Sequence, residues 1–248
     1  KLRVSIMNTG LLAVKFCLVF LVGAWCMLLT TCRAGGVSQS VKLQKPLVTP
    51  NETRSRPKII ALGDSLTAGF GLAENESYPY LLQKRLDDEG YDYEVVDAGV
   101  SGDTSLGGLE RVDWVLGQDD VRILIIELGA NDLLRGVPVR EMKANLVKII
   151  EKAKKRNLKV LLCGMLASPS AGREYQRDFN NAFPDLADQY DVAFLPFLLD
   201  GIALKKELNQ ADGIHPNAEG TRIMTDNIYR ALKPLLAETQ AKPADRKR

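Results

Sequence analysis

From Lys58 onward, short runs rich in branched aliphatic residues alternate with stretches whose apolar positions recur at helical spacing, and this alternation admits few folds. The runs are Lys58 to Leu62, Tyr93 to Ala98, Arg122 to Leu128, Lys159 to Gly164 and Val192 to Pro196. Separated by helices, they read as an α/β chain with a five-stranded parallel sheet covered on both faces. Between them, Tyr78 to Glu89 gathers Leu81, Leu82 and Leu86 on one face. Arg140 to Arg156 does the same with Met142, Leu146, Ile149, Ile150 and Ala153. Ser77 is placed to cap the first of these helices, and Gly90 to stop it.

The N-terminal part is a different material. Lys1, Arg3 and Lys15 precede an uncharged apolar run from Phe16 to Leu29, and polar and small residues follow. A membrane-spanning helix needs about 20 apolar residues, so the run has signal-peptide length, and residues 1–34 read as an export signal, with an uncleaved anchor as the lesser reading. The chain begins at Lys1, and Met7 is a candidate start. Small residues at Arg33-Ala34-Gly35 suit cleavage. Leu29-Thr30-Thr31-Cys32 resembles a bacterial lipobox, departing from it at Thr31, so membrane attachment through lipidated Cys32 is the competing expectation. Residues 35–57 carry Pro46, Pro50 and Pro57 without a periodic apolar face and read as a tether. The domain is expected over residues 58–238, with a basic, solvated tail at 239–248.

Roughly 200 residues remain after the signal, enough for one well-buried domain and short for two. A formal net charge of +2 gives no mark of a nucleic-acid binder. Of the four cysteines, only Cys163 falls in the domain, so no disulfide framework is expected there and Cys163 reads as a small core residue.

The chain has one histidine, in Asp212-Gly213-Ile214-His215-Pro216, and a serine in Gly63-Asp64-Ser65-Leu66 directly after the first run. Chemistry that needs an imidazole base therefore has His215 alone to use, and Ser65 is the nucleophile it would activate. Asp212, three residues before His215 on an Asp-Gly turn, is positioned to accept from the imidazole and fix its tautomer. One histidine and no cysteine pairs argue against a zinc enzyme. Gly69-Phe70-Gly71 completes no nucleotide loop. A serine activated by an imidazole, with no cofactor, is the chemistry these residues keep.

Four ordered blocks carry a resemblance: Gly63-Asp64-Ser65-Leu66, Gly99 to Ser105, Gly129-Ala130-Asn131-Asp132 and Asp212 to Pro216. Together they resemble the SGNH (GDSL) hydrolases, most of all the arylesterase, thioesterase I and lysophospholipase L1 branch, from about Lys58 to about Leu236. The resemblance implies a flavodoxin-like three-layer α/β/α sandwich. It also implies catalysis by Ser65, Asp212 and His215, with an oxyanion hole made by the Ser65 and Gly102 backbone N–H groups and the Asn131 side chain. Loops at Gly71-Leu72-Ala73, Leu133 to Pro138 and Met165 to Pro169 are expected to rim the pocket, with Leu133, Leu134, Met165 and Leu166 contacting substrate. Asp64 is expected to point away from Ser65, and Asp132 to bond loop backbone. Thr67 stands where the G-x-S-x-G elbow has glycine, which predicts a less buried, more mobile nucleophile loop.

The implied activity is hydrolysis of aryl or short-to-medium acyl esters, extending to acyl thioesters and lysophospholipids, by a periplasmic or secreted monomer. Two other readings stay open: a carbohydrate O-deacetylase on the same scaffold and a non-catalytic lipid-binding lipoprotein. No aromatic-rich carbohydrate platform is visible, since Trp25 lies in the signal and Trp114 reads as part of a helix face.

Overall fold

The computed structural model describes residues 56–239. The signal, Cys32, the tether up to residue 55 and the basic tail from residue 240 lie outside them. Five strands form one parallel sheet: β1 (Lys58–Gly63), β2 (Glu94–Gly99), β3 (Val121–Glu127), β4 (Lys159–Cys163) and β5 (Ala193–Leu195). Their order is β2-β1-β3-β4-β5, the flavodoxin-like arrangement. Every strand lies within two residues of its predicted ends.

The helices are α1 (Tyr78–Asp88), α2 (Ser105–Val115), α3 (Ala130–Leu134), α4 (Val139–Lys155), α5 (Arg173–Tyr190) and α6 (Ala218–Thr239). α1 packs on α6, while α4 packs on both α2 and α5, so two helical layers cover the sheet. The predicted apolar face of α4 is fully buried. In the central strand β3, Ile123 to Ile126 are shut off from solvent on both faces, as a strand between two helical layers must be. Cys163 is a free, buried thiol, and burial pushes its pKa up. Among the described residues no helix is long and apolar enough to cross a membrane.

Gly90 ends α1 as expected, taking φ +78°, while the next residue, Tyr91, donates its N–H back to Leu86 O. Ser77 does not act as a side-chain cap. It stands at the N-cap position, but its hydroxyl donates to Glu74 O in the preceding 3₁₀ turn and leaves the helix N–H groups alone. The strand order reverses at β1, with β2 on one side of it and β3 on the other. That switch point is where an open parallel sheet of this order leaves a crevice at its carboxyl edge.

Candidate active site

β1 ends at Gly63 and the chain turns immediately. Ala68 N–H donates to Asp64 O, and Phe70 N–H to Ser65 O, both at 3.0 Å. The Asp64 carboxylate is buried inside this turn, where Oδ1 accepts Leu66 N–H at 3.0 Å and Oδ2 accepts Asn131 Nδ2–H at 2.9 Å. The Asp64 carboxylate is thus engaged in bracing the turn, and the residue borders the same cavity as Ser65. Nor is the loop less buried: Asp64, Leu66 and Thr67 are all at most 6% exposed, leaving Ser65 half-buried between them. Thr67 fills the space because its hydroxyl has a buried acceptor, which a glycine could not use.

Arg111 of α2 secures the same edge. Its guanidinium donates to Gly63 O at 2.9 Å and Ala98 O at 2.7 Å, tying the ends of β1 and β2 together, and pairs with Asp103 at 2.6 Å.

His215 arrives on the long segment between β5 and α6. An isolated antiparallel bridge pairs Asn209 with Pro216, Gln210 N–H donates to His215 O at 2.7 Å, and Gly213 takes φ +75° at the turn. Gln210 Nε2–H also donates to Phe70 O at 2.7 Å, fastening the histidine loop to the nucleophile loop. The imidazole is brought to Ser65 across 150 residues of sequence: Ser65 Oγ lies 2.8 Å from His215 Nε2. On the other side, His215 Nδ1 lies 2.7 Å from Asp212 Oδ2.

Proton placement follows from the acceptors. The three hydrogen bonds from the His215 side chain and the His215 and Ile214 backbone N–H groups hold the Asp212 carboxyl down to about 2, so it is ionised and can only accept. Nδ1 must therefore carry the proton, which leaves Nε2 free to accept from the Ser65 hydroxyl. The Phe70 ring leans over the imidazole with centroids 4.8 Å apart.

A cavity of about 470 Å³ opens above these groups, within the range of small-molecule sites. Ser65, Gly102, Asn131 and His215 all line it. Among the described residues the Ser65 and Gly102 N–H groups have no hydrogen-bond partner, and Asn131 has only one of its two amide hydrogens engaged. Three donors are thus available on the wall that carries the nucleophile. Gly102 takes φ +87°, a conformation natural to glycine, and its carbonyl accepts from Arg135 Nη2–H at 2.6 Å.

A model of the GDSL-like lipase/acylhydrolase family matches residues 61–223, a stretch that contains the nucleophile turn, both donor loops and His215. The chain belongs to that family. It is 40% identical over 190 residues to the esterase TesA of Pseudomonas aeruginosa, covering 77% of this chain and 94% of the relative. With the thioesterase 1/protease 1/lysophospholipase L1 of Escherichia coli K12 it shares 35% over 178 residues, covering 72% of this chain and 84% of that protein. A structure of the psychrotrophic esterase EstA from Pseudoalteromonas sp., inhibited by monoethylphosphonate, superposes with a TM-score of 0.69 at 35% identity, covering 73% of this chain and 98% of that one. This GDSL hydrolase is a carboxylic ester hydrolase.

Leu133, Leu134, Met165 and Leu166 all line the cavity. Gly71, Leu72 and Ala73 do not: Leu72 lies in a separate small crevice behind His215. Val137 and Pro138 also miss it, because the chain turns away at Gly136 with φ +64° and Pro138 borders another hollow. Sequence reading missed Phe70, Phe197, Leu199, Leu204 and Ile214, which complete the apolar wall. Only the run Phe194 to Leu199 carried a signal for them, an apolar stretch outlasting its strand. Asp132 does bond backbone, accepting Ser105 N–H at 2.7 Å at the start of α2.

Proposed function

We propose that this esterase cleaves short-to-medium acyl and aryl esters, and acyl thioesters and lysophospholipids by the same route, through a Ser65 acyl-enzyme. The observation that carries the reading is the unbroken relay from Asp212 through His215 to Ser65 at the floor of an apolar cavity. His215 Nε2 takes the Ser65 proton as Oγ attacks the acyl carbon. The oxyanion that forms is held by Ser65 N–H, Gly102 N–H and the free Asn131 amide hydrogen. Collapse expels the alcohol or thiol, protonated from the imidazolium. Water, deprotonated in turn by His215, then releases the acid and restores Ser65.

An exported enzyme, periplasmic or secreted, is the reading that the charged-then-apolar stretch before Thr30 supports.

Initial rates on p-nitrophenyl esters from acetate to decanoate test the substrate class. A maximum at a chain longer than acetate is expected, because the walls beyond Ser65 are apolar and only buried methylenes distinguish these substrates, each worth about 0.8 kcal/mol. Activity confined to acetate, with faster turnover of acetylated sugars, would replace this reading by a deacetylase.

Asn131→Ala is expected to lower kcat by roughly 10² to 10³ with a much smaller change in KM, since the lost donor acts on charge present only in the transition state. A KM effect with kcat intact would place Asn131 in ground-state binding instead.

A further inference from the structure

We propose that Glu127 is a positioning residue for the nucleophile, its carboxyl holding the Gly63–Thr67 turn from the neighbouring strand so that Ser65 meets His215. The inference rests on the reading of Ser65 as nucleophile. It begins with register: Gly63 pairs with Gly99 of β2 on one side and with Glu127 of β3 on the other, forming one row at the carboxyl edge of the sheet. The two glycines leave room for the turn. A Cβ on Gly63 would collide with Thr67 and Glu127, and one on Gly99 with the backbone of Thr67 and Ala68, so the turn lies directly on the sheet edge.

Glu127 supplies the one side chain in that row, and it is 1% exposed. Its Oε2 accepts two hydrogen bonds from the turn, Asp64 N–H at 3.1 Å and Thr67 Oγ1–H at 2.8 Å. These donors flank Ser65, one residue before it and two after. Oε1 is buried with no partner. Burial, with the Asp64 carboxyl beside it, pushes Glu127 well above the ordinary glutamate range.

Consequences spread through Asp64. Its N–H is fixed by Glu127 while its carboxylate holds Leu66 N–H and the Asn131 amide. One acceptor atom therefore anchors the turn that carries Ser65 and, through Asp64, the side chain offered to the oxyanion. Removing it leaves the buried Asp64 N–H unpaired on one side of the nucleophile and the Thr67 hydroxyl on the other with only Tyr78 Oη, 3.4 Å away, and displacement of about 1 Å at a reacting group costs up to roughly 10² in rate.

The test compares Glu127→Leu, which has no acceptor, with Glu127→Gln, which keeps one. Ser65 is titrated with a fluorophosphonate so that rates refer to reactive sites and not to total protein. Glu127→Leu is expected to lower kcat per titrated site by roughly 10- to 10²-fold, slow labelling by a similar factor, and leave KM within about threefold. Glu127→Gln is expected to recover kcat to within about threefold of the wild type. If Glu127→Leu does not fold, Thr67→Val removes one of the two donors in nearly the same volume and is expected to slow labelling severalfold. Folded Glu127→Leu, or Thr67→Val in its place, with unchanged labelling and kcat per site would overturn the proposal, as would a Gln variant as impaired as the Leu variant. Failure of the wild type to label at Ser65 would instead sink the nucleophile assignment on which the proposal stands.

Discussion

Ser65→Ala is expected to lower kcat on p-nitrophenyl butyrate by about 10⁶-fold while leaving fold and substrate affinity in place. Ser65 Oγ is the only hydroxyl within hydrogen-bonding distance of the sole imidazole among the described residues, so no neighbour is placed to take over. The substitution removes one oxygen from a half-buried position and leaves the turn's other bonds intact, since Asp64, Leu66 and Thr67 make them. Residual rate over water would come from the cavity and the oxyanion donors alone. Circular dichroism and thermal melting identical to the wild type, with turnover about 10⁶-fold below it, are the expected pair of results. Turnover reduced by less than about tenfold would mean that the chemistry runs elsewhere.

The second large effect is expected from Asp212→Asn, roughly 10⁴ in kcat. Asp212 Oδ1 accepts two backbone N–H groups, from Ile214 and His215, at 3.0 and 3.1 Å. A carboxamide has one oxygen, and those two donors claim it. The amide nitrogen then faces His215 Nδ1 and donates to it, which drives the imidazole proton to Nε2 and leaves Ser65 without a base. Asp212→Ala imposes no tautomer and is expected to lose less than Asp212→Asn; equal losses would argue that charge rather than tautomer is what Asp212 supplies. Because the wild-type carboxyl titrates at about 2, acid-side loss of activity above that pH is not the protonation of Asp212. The sign is that of a depressed acid: its ionised, hydrogen-bonded form persists as pH falls below the ordinary aspartate range and is lost only near that lower value.

Much of this site could be read from the sequence because its parts sit at strand ends. Ser65, Gly102 and Asn131 each follow a run whose aliphatic composition announces a buried parallel strand, and such strands deliver their loops to one edge. His215 needed only its uniqueness. What stayed hidden depends on which strands are neighbours. Glu127 and Thr67 are 60 residues apart and meet because β1 pairs with β3 in a register that sets Gly63 beside Glu127. The sequence places Glu127 inside the run Arg122 to Leu128 and says nothing of which turn its carboxyl meets. For the same reason the sequence reads the nucleophile loop as less buried: Thr67 departs from the glycine of the G-x-S-x-G elbow, and its partner Glu127 is not visible in the sequence. Ser77 shows the reverse case, where the residue type suited a cap and a nearer carbonyl in the preceding turn took the hydroxyl.

The cavity wall divides in the same way. Leu133 and Leu134 follow a recognisable block, and Met165 and Leu166 directly follow β4. Phe197, Leu199 and Leu204 come from the irregular return between β5 and α6, where no periodicity tells an inward residue from an outward one. Leu204 even takes φ +64°, a conformation leucine rarely adopts and no pattern foretells.

The most direct measurement is intact-protein and peptide mass spectrometry after exposure to a fluorophosphonate, with the wild type and His215→Ala treated alike. A single phosphonyl adduct on the peptide containing Ser65, formed rapidly in the wild type and only very slowly without the imidazole, is the expected result. An adduct on another residue, or labelling of Ser65 at the same rate in both proteins, would contradict the Asp212–His215–Ser65 relay.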